Sequence, residues 1–263
     1  MIIPKIIHQC YLGYDNPTMP KKWMNNHKKW KELHPNYQIM LWNYNDSIEL
    51  IKEIDKSFLP IFKNYKYNVQ RADSIRNFIL YKYGGIYIDL DTVPVRNITP
   101  LINVYTKNNN VEVLMGSNSN FDYYVSNWFM ASVPKNEFWL LVIKYMKNRY
   151  NNFYLIPSIQ IMKTTGPTLY NDILNENPNF NNNVMIVNKE LLNTNDICGK
   201  KFNKNQQEYI IDQHAKSWNY FDSKIFNSLY CLTKPFKKVT YYYWLLVIFL
   251  LIIIIIFLIK KIK

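Results

Sequence analysis

Short apolar runs alternate with amphipathic stretches along most of the chain, and this order predicts one α/β domain over residues 1–233. Apolar positions that recur at helical spacing indicate helices, as for Trp23, His27 and Trp30. The predicted strands are residues 5–10, 37–42, 86–91, 111–115, 128–132 and 184–187. The predicted helices are residues 21–33, 46–55, 69–83, 135–149 and 161–174, the last with a break at 165–167.

Residues 83–91 read Tyr-Gly-Gly-Ile-Tyr-Ile-Asp-Leu-Asp, which predicts a helix end, a glycine turn and a strand. Because strand side chains alternate, Tyr87, Asp89 and Asp91 are expected to share one side, opposite the isoleucines and Leu90. Two carboxylates on one side repel each other unless a cation lies between them. Divalent cations often bridge carboxylates to substrate phosphates. A solvated turn is the alternative, but the apolar strand and the two glycines favour a metal–diphosphate site.

Asp73 and Arg76 lie three residues apart on the helix before this strand, so their side chains share a face and can pair. An arginine that is oriented by an aspartate is well suited to bind a diphosphate. The alternative is an ordinary surface ion pair, which contributes under about 1 kcal/mol.

The segment 210–218 contains His214, Ser217 and Trp218. Neutral imidazole is a common metal ligand, so His214 is a candidate to complete the shell of a cation at Asp91. Ser217 is a candidate oxygen donor to the metal or phosphate, and Trp218 a candidate wall of the pocket. His8, in the first strand, either lines the nucleotide site or packs in the interior.

Composition removes several classes of protein. Six glycines are too few for a dinucleotide fingerprint or a P-loop, so a diphosphate has to be held by a metal and cationic side chains. Three widely spaced cysteines indicate neither a disulfide framework nor a zinc site. The net charge of +13 fits anionic membranes, nucleotide phosphates or solvated lysines. No nucleic-acid-binding motif accompanies the charge, so no nucleic-acid partner is expected.

Residues 241–259 are apolar throughout and predict a single transmembrane helix, because a bilayer core requires about 20 such residues. The segment opens with Tyr and Trp, which favour the interface. A basic linker at 234–240 precedes it and a basic tail at 260–263 follows.

The sequence leaves open which side of the membrane the catalytic domain faces. Lysines flank both ends of the apolar segment, so the charge rule is nearly balanced. The N-terminus lacks the features of a signal peptide, which favours a cytosolic domain. The terminal Lys260-Lys261 pair resembles an endoplasmic-reticulum retrieval signal, which is read only on a cytosolic tail.

Aspartate-nucleophile phosphatases are a different class that also carries an Asp-x-Asp after an apolar strand. Their motif lies on the first strand of the domain, whereas here more than eighty residues precede it. They also need a later closing pair of acids, and the aspartates after Asp91 are isolated in sequence. These differences argue against a phosphatase.

Taken together, the motifs resemble glycosyltransferase family 32, the group with a DXD sugar-binding region that includes fungal initiating mannosyltransferases and inositol phosphoceramide mannosyltransferases. The matching residues are 3–9, 72–76, 83–91, Asn127, 165–167, His214 and 217–218, in family order. Two positions depart from the family pattern. Tyr11 stands where a Trp is usual, and Gln213 stands where a second histidine often precedes His214.

The resemblance implies a GT-A fold, a Rossmann-like mixed sheet, and a retaining transfer that depends on Mn²⁺ or Mg²⁺. It implies that Asp91, His214 and Ser217 hold the metal and that Asp73, Arg76, Tyr87 and Asp89 bind the donor. His8 and Trp218, from their places in the sequence, are added to the predicted donor-binding residues, and the predicted catalytic residues are Asp89, Asp91 and Arg76. GDP-mannose is the expected donor, and a membrane glycan or glycolipid such as inositol phosphoceramide the expected acceptor. A transferase that uses a UDP-hexose and an inactive, membrane-tethered binding module are the alternatives.

Overall fold

The structure is a computed structural model that describes residues 2–13, 17–107, 111–118, 121–192 and 208–213, together with residue 228. The chain divides into two units, Met1–Asp222 and Ser223–Lys263. Within the ranges just given, no helix has both the length and the apolar character needed to cross a membrane. The predicted span at 241–259 lies outside the described residues, and the predicted domain boundaries stay predictions.

The described elements follow the predicted order. The strands are β1 (Ile6–Cys10), β2 (Gln38–Trp42), β3 (Gly85–Ile88), β4 (Thr92–Pro94), β5 (Val113–Asn118), β6 (Phe121–Ser132), β7 (Val184–Val187) and β8 (Ile210–Asp212). The helices are α1 (Lys21–Leu33), α2 (Tyr44–Asp55), α3 (Leu59–Asn64), α4 (Asn68–Tyr83), α5 (Thr99–Thr106), α6 (Glu137–Arg149), α7 (Pro157–Thr164), α8 (Pro167–Glu176) and α9 (Lys189–Leu192). The predicted α/β class and the break at 165–167 are confirmed, whereas α3, α5, α9, β4 and β8 were not predicted.

A six-stranded mixed sheet forms the centre, with strand order β2-β1-β3-β6-β5-β7. β1 pairs in parallel with β2 and β3, and β5 pairs in parallel with β7. β6 is antiparallel to both of its neighbours, β3 and β5. A separate antiparallel pair joins β4 to β8.

Two hydrophobic clusters cover the two faces of the sheet, because side chains alternate along each strand. In β3, Tyr87 belongs to the cluster formed with α2, α4, α6 and α8. Ile86 and Ile88 belong to the other cluster, which includes Trp30 of α1 and Leu101 of α5. The predicted alternation is confirmed, but the predicted strand 86–91 is too long, because β3 ends at Ile88.

The glycine pair between α4 and β3 allows a tight approach of three segments. Gly84 has φ +60°, and a Cβ there would lie 2.6 Å from the nitrogen of Pro134. Gly85 has φ +82°, and a Cβ there would lie 2.6 Å from the carbonyl oxygen of Ile6. Both the left-handed backbone and the contacts therefore require glycine. The turn leads from α4 into β3, a central strand that ends just before the acidic segment.

Candidate active site

The acidic segment is a turn fixed by backbone hydrogen bonds rather than a strand end. The amide of Asp89 donates to the carbonyl of Trp128 on β6 (3.0 Å), and the hydroxyl of Thr92 donates to the carbonyl of Asp89 (2.6 Å). Asn26 of α1 donates to the carbonyl of Leu90 (3.0 Å). These bonds fix the backbone of the Asp-x-Asp turn.

β8 brings a later part of the chain to this turn. Asp212 lies opposite Thr92 in the β4–β8 ladder, and the amide of Gln213 donates to the carbonyl of Asp91 (3.0 Å). Asp212 is buried. Sequence reasoning treated this residue as isolated; the apolar Ile210 and Ile211 before it were the only local signal of a strand.

Arg76 of α4 is the centre of the polar cluster, and it is buried. Its Nη2 lies 3.1 Å from Oδ1 of Asp73 and 3.4 Å from Oδ1 of Asp89. Its Nη1 donates to the carbonyl of Asn127, and its guanidinium carbon lies 4.6 Å from the centre of the Tyr87 ring. The predicted pairing of Asp73 with Arg76 is therefore present, and it is an interior pair rather than a surface one.

Both carboxylate oxygens of Asp73, which orients Arg76, have hydrogen-bond donors nearby. The side-chain amide of Asn127 donates to Oδ1 of Asp73 (2.9 Å), and the hydroxyl of Thr165 lies 3.3 Å from Oδ2. Burial raises the pKa of Asp73, while Arg76 and these two donors lower it. Asn127 and Thr165 belong to the matched motifs, but the sequence did not show that they contact Asp73.

Asp89 differs from Asp73 because its side chain is 32% exposed, against 6% for Asp73. Burial raises the pKa of Asp89 to about 7; Arg76 lowers it, and the carboxylates of Asp91, Asp73 and Asp212 raise it. Four acidic groups near a single arginine leave an excess of negative charge. A bound cation offsets such an excess.

These polar groups line one wall of a cavity of about 510 Å³, a size typical of small-molecule sites. The polar lining comprises Asn68, Asp73, Arg76, Tyr87, Asp89, Asp91 and Asn127. The remaining lining is mainly apolar and comes from the end of β1 and the segment after it, from α1 and the residue before it, and from α4, α7 and α8. It includes Cys10, Tyr11, Leu12, Pro20, Trp23, Val69, Ala72, Ile161, Met162 and Pro167. The cavity thus has both charged and apolar lining residues.

The donor set fits a hard divalent cation, since Asp89 and Asp91 present carboxylate oxygens to the cavity. Among the residues that the structure describes, no three His, Cys, Asp or Glu side chains form a group able to hold a metal ion. The ligand set predicted from the sequence also used His214 and Ser217. These residues and Trp218 lie outside the described residues, so their roles stay predictions.

His8 is fully buried on β1, where it lies opposite Tyr87 of β3 in the sheet. Its Nε2 lies 3.0 Å from the carbonyl oxygen of Gly84, and the indole N–H of Trp42 donates to its Nδ1 (3.2 Å). Both ring nitrogens are therefore bonded within the protein. Of the two roles considered for His8, the geometry is that of interior packing, and its contact with a donor stays a prediction.

Comparison with known proteins agrees with this geometry. A family described as the glycosyltransferase sugar-binding region containing the DXD motif matches residues 20–111, which include Asp73, Arg76, Asp89 and Asp91. A mannosyl phosphorylinositol ceramide synthase of Saccharomyces cerevisiae is 41% identical over 166 residues, which are 63% of this chain and 40% of that protein. Inositol phosphoceramide mannosyltransferase 2 of Schizosaccharomyces pombe is 35% identical over 168 residues, which are 63% of this chain and 44% of that protein.

The chain thus spans less than half the length of these curated relatives. Among solved structures, the glycosyltransferase domain of the YGT toxin superposes with a TM-score of 0.52 at 11% identity, covering 70% of this chain and 80% of that domain. At this identity the likeness concerns the fold alone. The family resemblance predicted from the sequence is confirmed as a match: residues 20–111 are similar to the family described as the glycosyltransferase sugar-binding region containing the DXD motif.

Proposed function

We propose that this chain is a metal-dependent, retaining glycosyltransferase with a GT-A fold, which moves mannose from GDP-mannose to an inositol phosphoceramide-type glycolipid. The match to the sugar-binding region supports the reaction class. The names of the yeast relatives support the sugar and the acceptor, although the chain covers less than half of each.

One observation carries the proposal. Arg76 is held between Asp73 and Asp89 in the wall of a cavity of about 510 Å³ that Asp91 also lines. A buried guanidinium that is already oriented by a carboxylate is placed to bind a diphosphate without reorganisation. An inactive binding module does not require this costly arrangement of buried charges.

Different residues would contact the diphosphate, the sugar or ribose, the base and the metal. Arg76 would contact the diphosphate, and the partly exposed carboxylate of Asp89 would accept hydrogen bonds from sugar or ribose hydroxyls. Tyr11 and Trp23, whose rings meet edge to face with centres 6.0 Å apart, offer the base an aromatic surface. Asp91 would hold the Mn²⁺ or Mg²⁺, which supplies Lewis-acid stabilisation of the departing diphosphate.

In the proposed reaction, the bond between the anomeric carbon and the diphosphate oxygen breaks, and a bond to the acceptor oxygen forms on the same face. The acceptor hydroxyl loses its proton to the departing diphosphate. Among the described cavity residues, Asp89 is paired with Arg76 rather than free to act as a nucleophile. Direct attack by the acceptor is therefore the route proposed here.

The test is a panel of nucleotide sugars, in which release of free nucleotide is followed with Mn²⁺ and with a chelator. We expect turnover of GDP-mannose that the chelator abolishes. Asp91→Asn should lower turnover by about 10²–10³-fold, because a catalytic metal contributes several kcal/mol. Unchanged turnover in Asp91→Asn would refute the metal model.

Other results of the same panel separate the alternatives. Turnover of a UDP-sugar alone would assign the other donor class and overturn the mannose assignment. Hydrolysis of a phosphomonoester would indicate the phosphatase chemistry. Tight nucleotide-sugar binding without turnover would indicate an inactive binding module.

A further inference from the structure

The loop that joins α6 to α7, residues 151–156, presents two large apolar side chains to solvent. Phe153 is 73% exposed and Leu155 is 87% exposed. The loop backbone is braced, because the side chain of Gln160 accepts from the amide of Tyr154 (2.8 Å) and donates to the carbonyl of Asn152 (2.9 Å). The two exposed apolar side chains are therefore carried by a backbone that is fixed by hydrogen bonds.

A lysine contacts the loop, and Arg149, which ends α6 just before it, pairs with Asp172 and Glu176. Lys163 extends over the ring of Tyr154, with 5.6 Å between its ammonium nitrogen and the ring centre. Tyr65 packs against Tyr150, the residue before the loop, with ring centres 5.7 Å apart, and Lys66 directly follows Tyr65 in the chain. Both lysines are exposed, and neither the loop nor α7 contains an aspartate or glutamate. Exposed apolar groups and cations thus occur side by side.

The loop is also close to the cavity. α7 begins directly after it, and Ile161 and Met162 of α7 line the cavity. A helix rises about 1.5 Å per residue, so the cavity wall lies about 8 Å along the helix axis from the end of the loop.

We propose that residues 151–156 form a membrane-docking loop for an anionic lipid surface. Phe153 and Leu155 enter the boundary between headgroups and acyl chains, and Lys163 and Lys66 contact lipid phosphates. Lysine is depleted at protein–protein interfaces, so the cations favour a lipid surface over a protein partner. Docking through this loop would bring the part of the cavity wall formed by α7 towards the bilayer. The relevance of that approach to catalysis rests on the proposed glycolipid acceptor, whereas the docking does not.

The test reads the position of single side chains in the full chain, so membrane binding by any other segment does not mask the result. Leu155→Trp is compared with Val104→Trp on α5, where Val104 is 69% exposed and serves as a matched control. Vesicles of equimolar phosphatidylcholine and phosphatidylserine carry bromine on their acyl chains, which quenches nearby tryptophan. We expect quenching of most of the emission added by Leu155→Trp and no quenching of that added by Val104→Trp.

The second part of the test varies the charge of the lipid and of the protein. Quenching of Leu155→Trp should weaken in vesicles of phosphatidylcholine alone, and also when Lys163→Glu and Lys66→Glu are combined with it. Equal quenching at positions 155 and 104, or no quenching at either position, would overturn the proposal. No nucleotide sugar is present in this experiment, so its failure is distinct from a failure of donor turnover.

Discussion

Two arginines of this chain each lie between two carboxylates, yet their surroundings differ. Arg76 pairs with Asp73 and Asp89 beside the cavity, and its side chain is 4% exposed. Arg149, at the end of α6, pairs with Asp172 at 2.6 Å, and the second acid, Glu176, lies 3.8 Å away and is 55% exposed. The peripheral pair has one shorter contact, but only the interior pair is held where water does not replace a lost partner. Burial, rather than ion-pair distance, therefore distinguishes a site from a surface contact.

The largest expected difference is in stability. Arg76→Ala should lower the free energy of unfolding by about 3–5 kcal/mol, because it leaves Asp73 buried without its cation. Arg149→Ala should lower the free energy of unfolding by less than about 1 kcal/mol, since water can solvate both of its acids. Urea unfolding of the two variants at neutral pH measures the comparison.

Arg76→Lys separates function from folding in the same pair. It keeps the charge but loses the planar fork that reaches Asp73, Asp89 and the carbonyl of Asn127. We expect a folded protein whose donor turnover falls by about 10²-fold, with turnover of Arg149→Lys unchanged. Equal losses of stability and of turnover at the two arginines would show that burial does not distinguish them.

The interior pair also shows how far the sequence alone predicts the site. Asp73 and Arg76 are neighbours on one helix turn and Asp89 and Asp91 flank one residue, so local spacing was enough to group each pair. β3 was expected to run to Asp91, but the bonds of Asp89 to Trp128 and Thr92 turn the chain after Ile88. Those bonds depend on tertiary contacts that periodicity does not contain.

Long-range contributions were the ones missed. Asp212 joins the cluster only because β8 pairs with β4, and a three-residue strand has too short a pattern to predict. Asn127 and Thr165 converge on Asp73 from β6 and from the turn between α7 and α8. His8 could be read either way, and its burial depends on Trp42 and Gly84 from two other elements.

The effect of pH on stability through His8 tests the same interior, and the expected change is intermediate in size. Burial lowers the pKa of His8 from 6.5 to about 4. Because Trp42 donates to Nδ1, a proton there would also break that bond. The unfolded chain takes up the proton first as pH falls through 6.5, so the folded state loses up to about 3 kcal/mol between pH 6.5 and 4.

The measurement is the free energy of unfolding of the wild-type chain and of His8→Gln across this pH range. Burial also lowers the pKa of His27 and His34, so both proteins should lose stability in acid. The loss should be smaller in His8→Gln, by the contribution of one histidine. Identical pH profiles would mean that the interior around β3 admits a charge, against the contrast drawn between the two arginines.

Salt gives the smallest and most selective test of that contrast. Double-mutant cycles should give a coupling of about 0.2–1 kcal/mol for Arg149 with Asp172, since both are partly exposed. That coupling should shrink between about 0.1 M and 1 M salt, where the screening length falls from about 10 Å to 3 Å. The coupling of Arg76 with Asp73 should stay constant, because ions do not enter between buried partners. A parallel decline of both couplings would show that water and ions reach Arg76 freely, and the preorganised diphosphate clamp would then lose its physical basis.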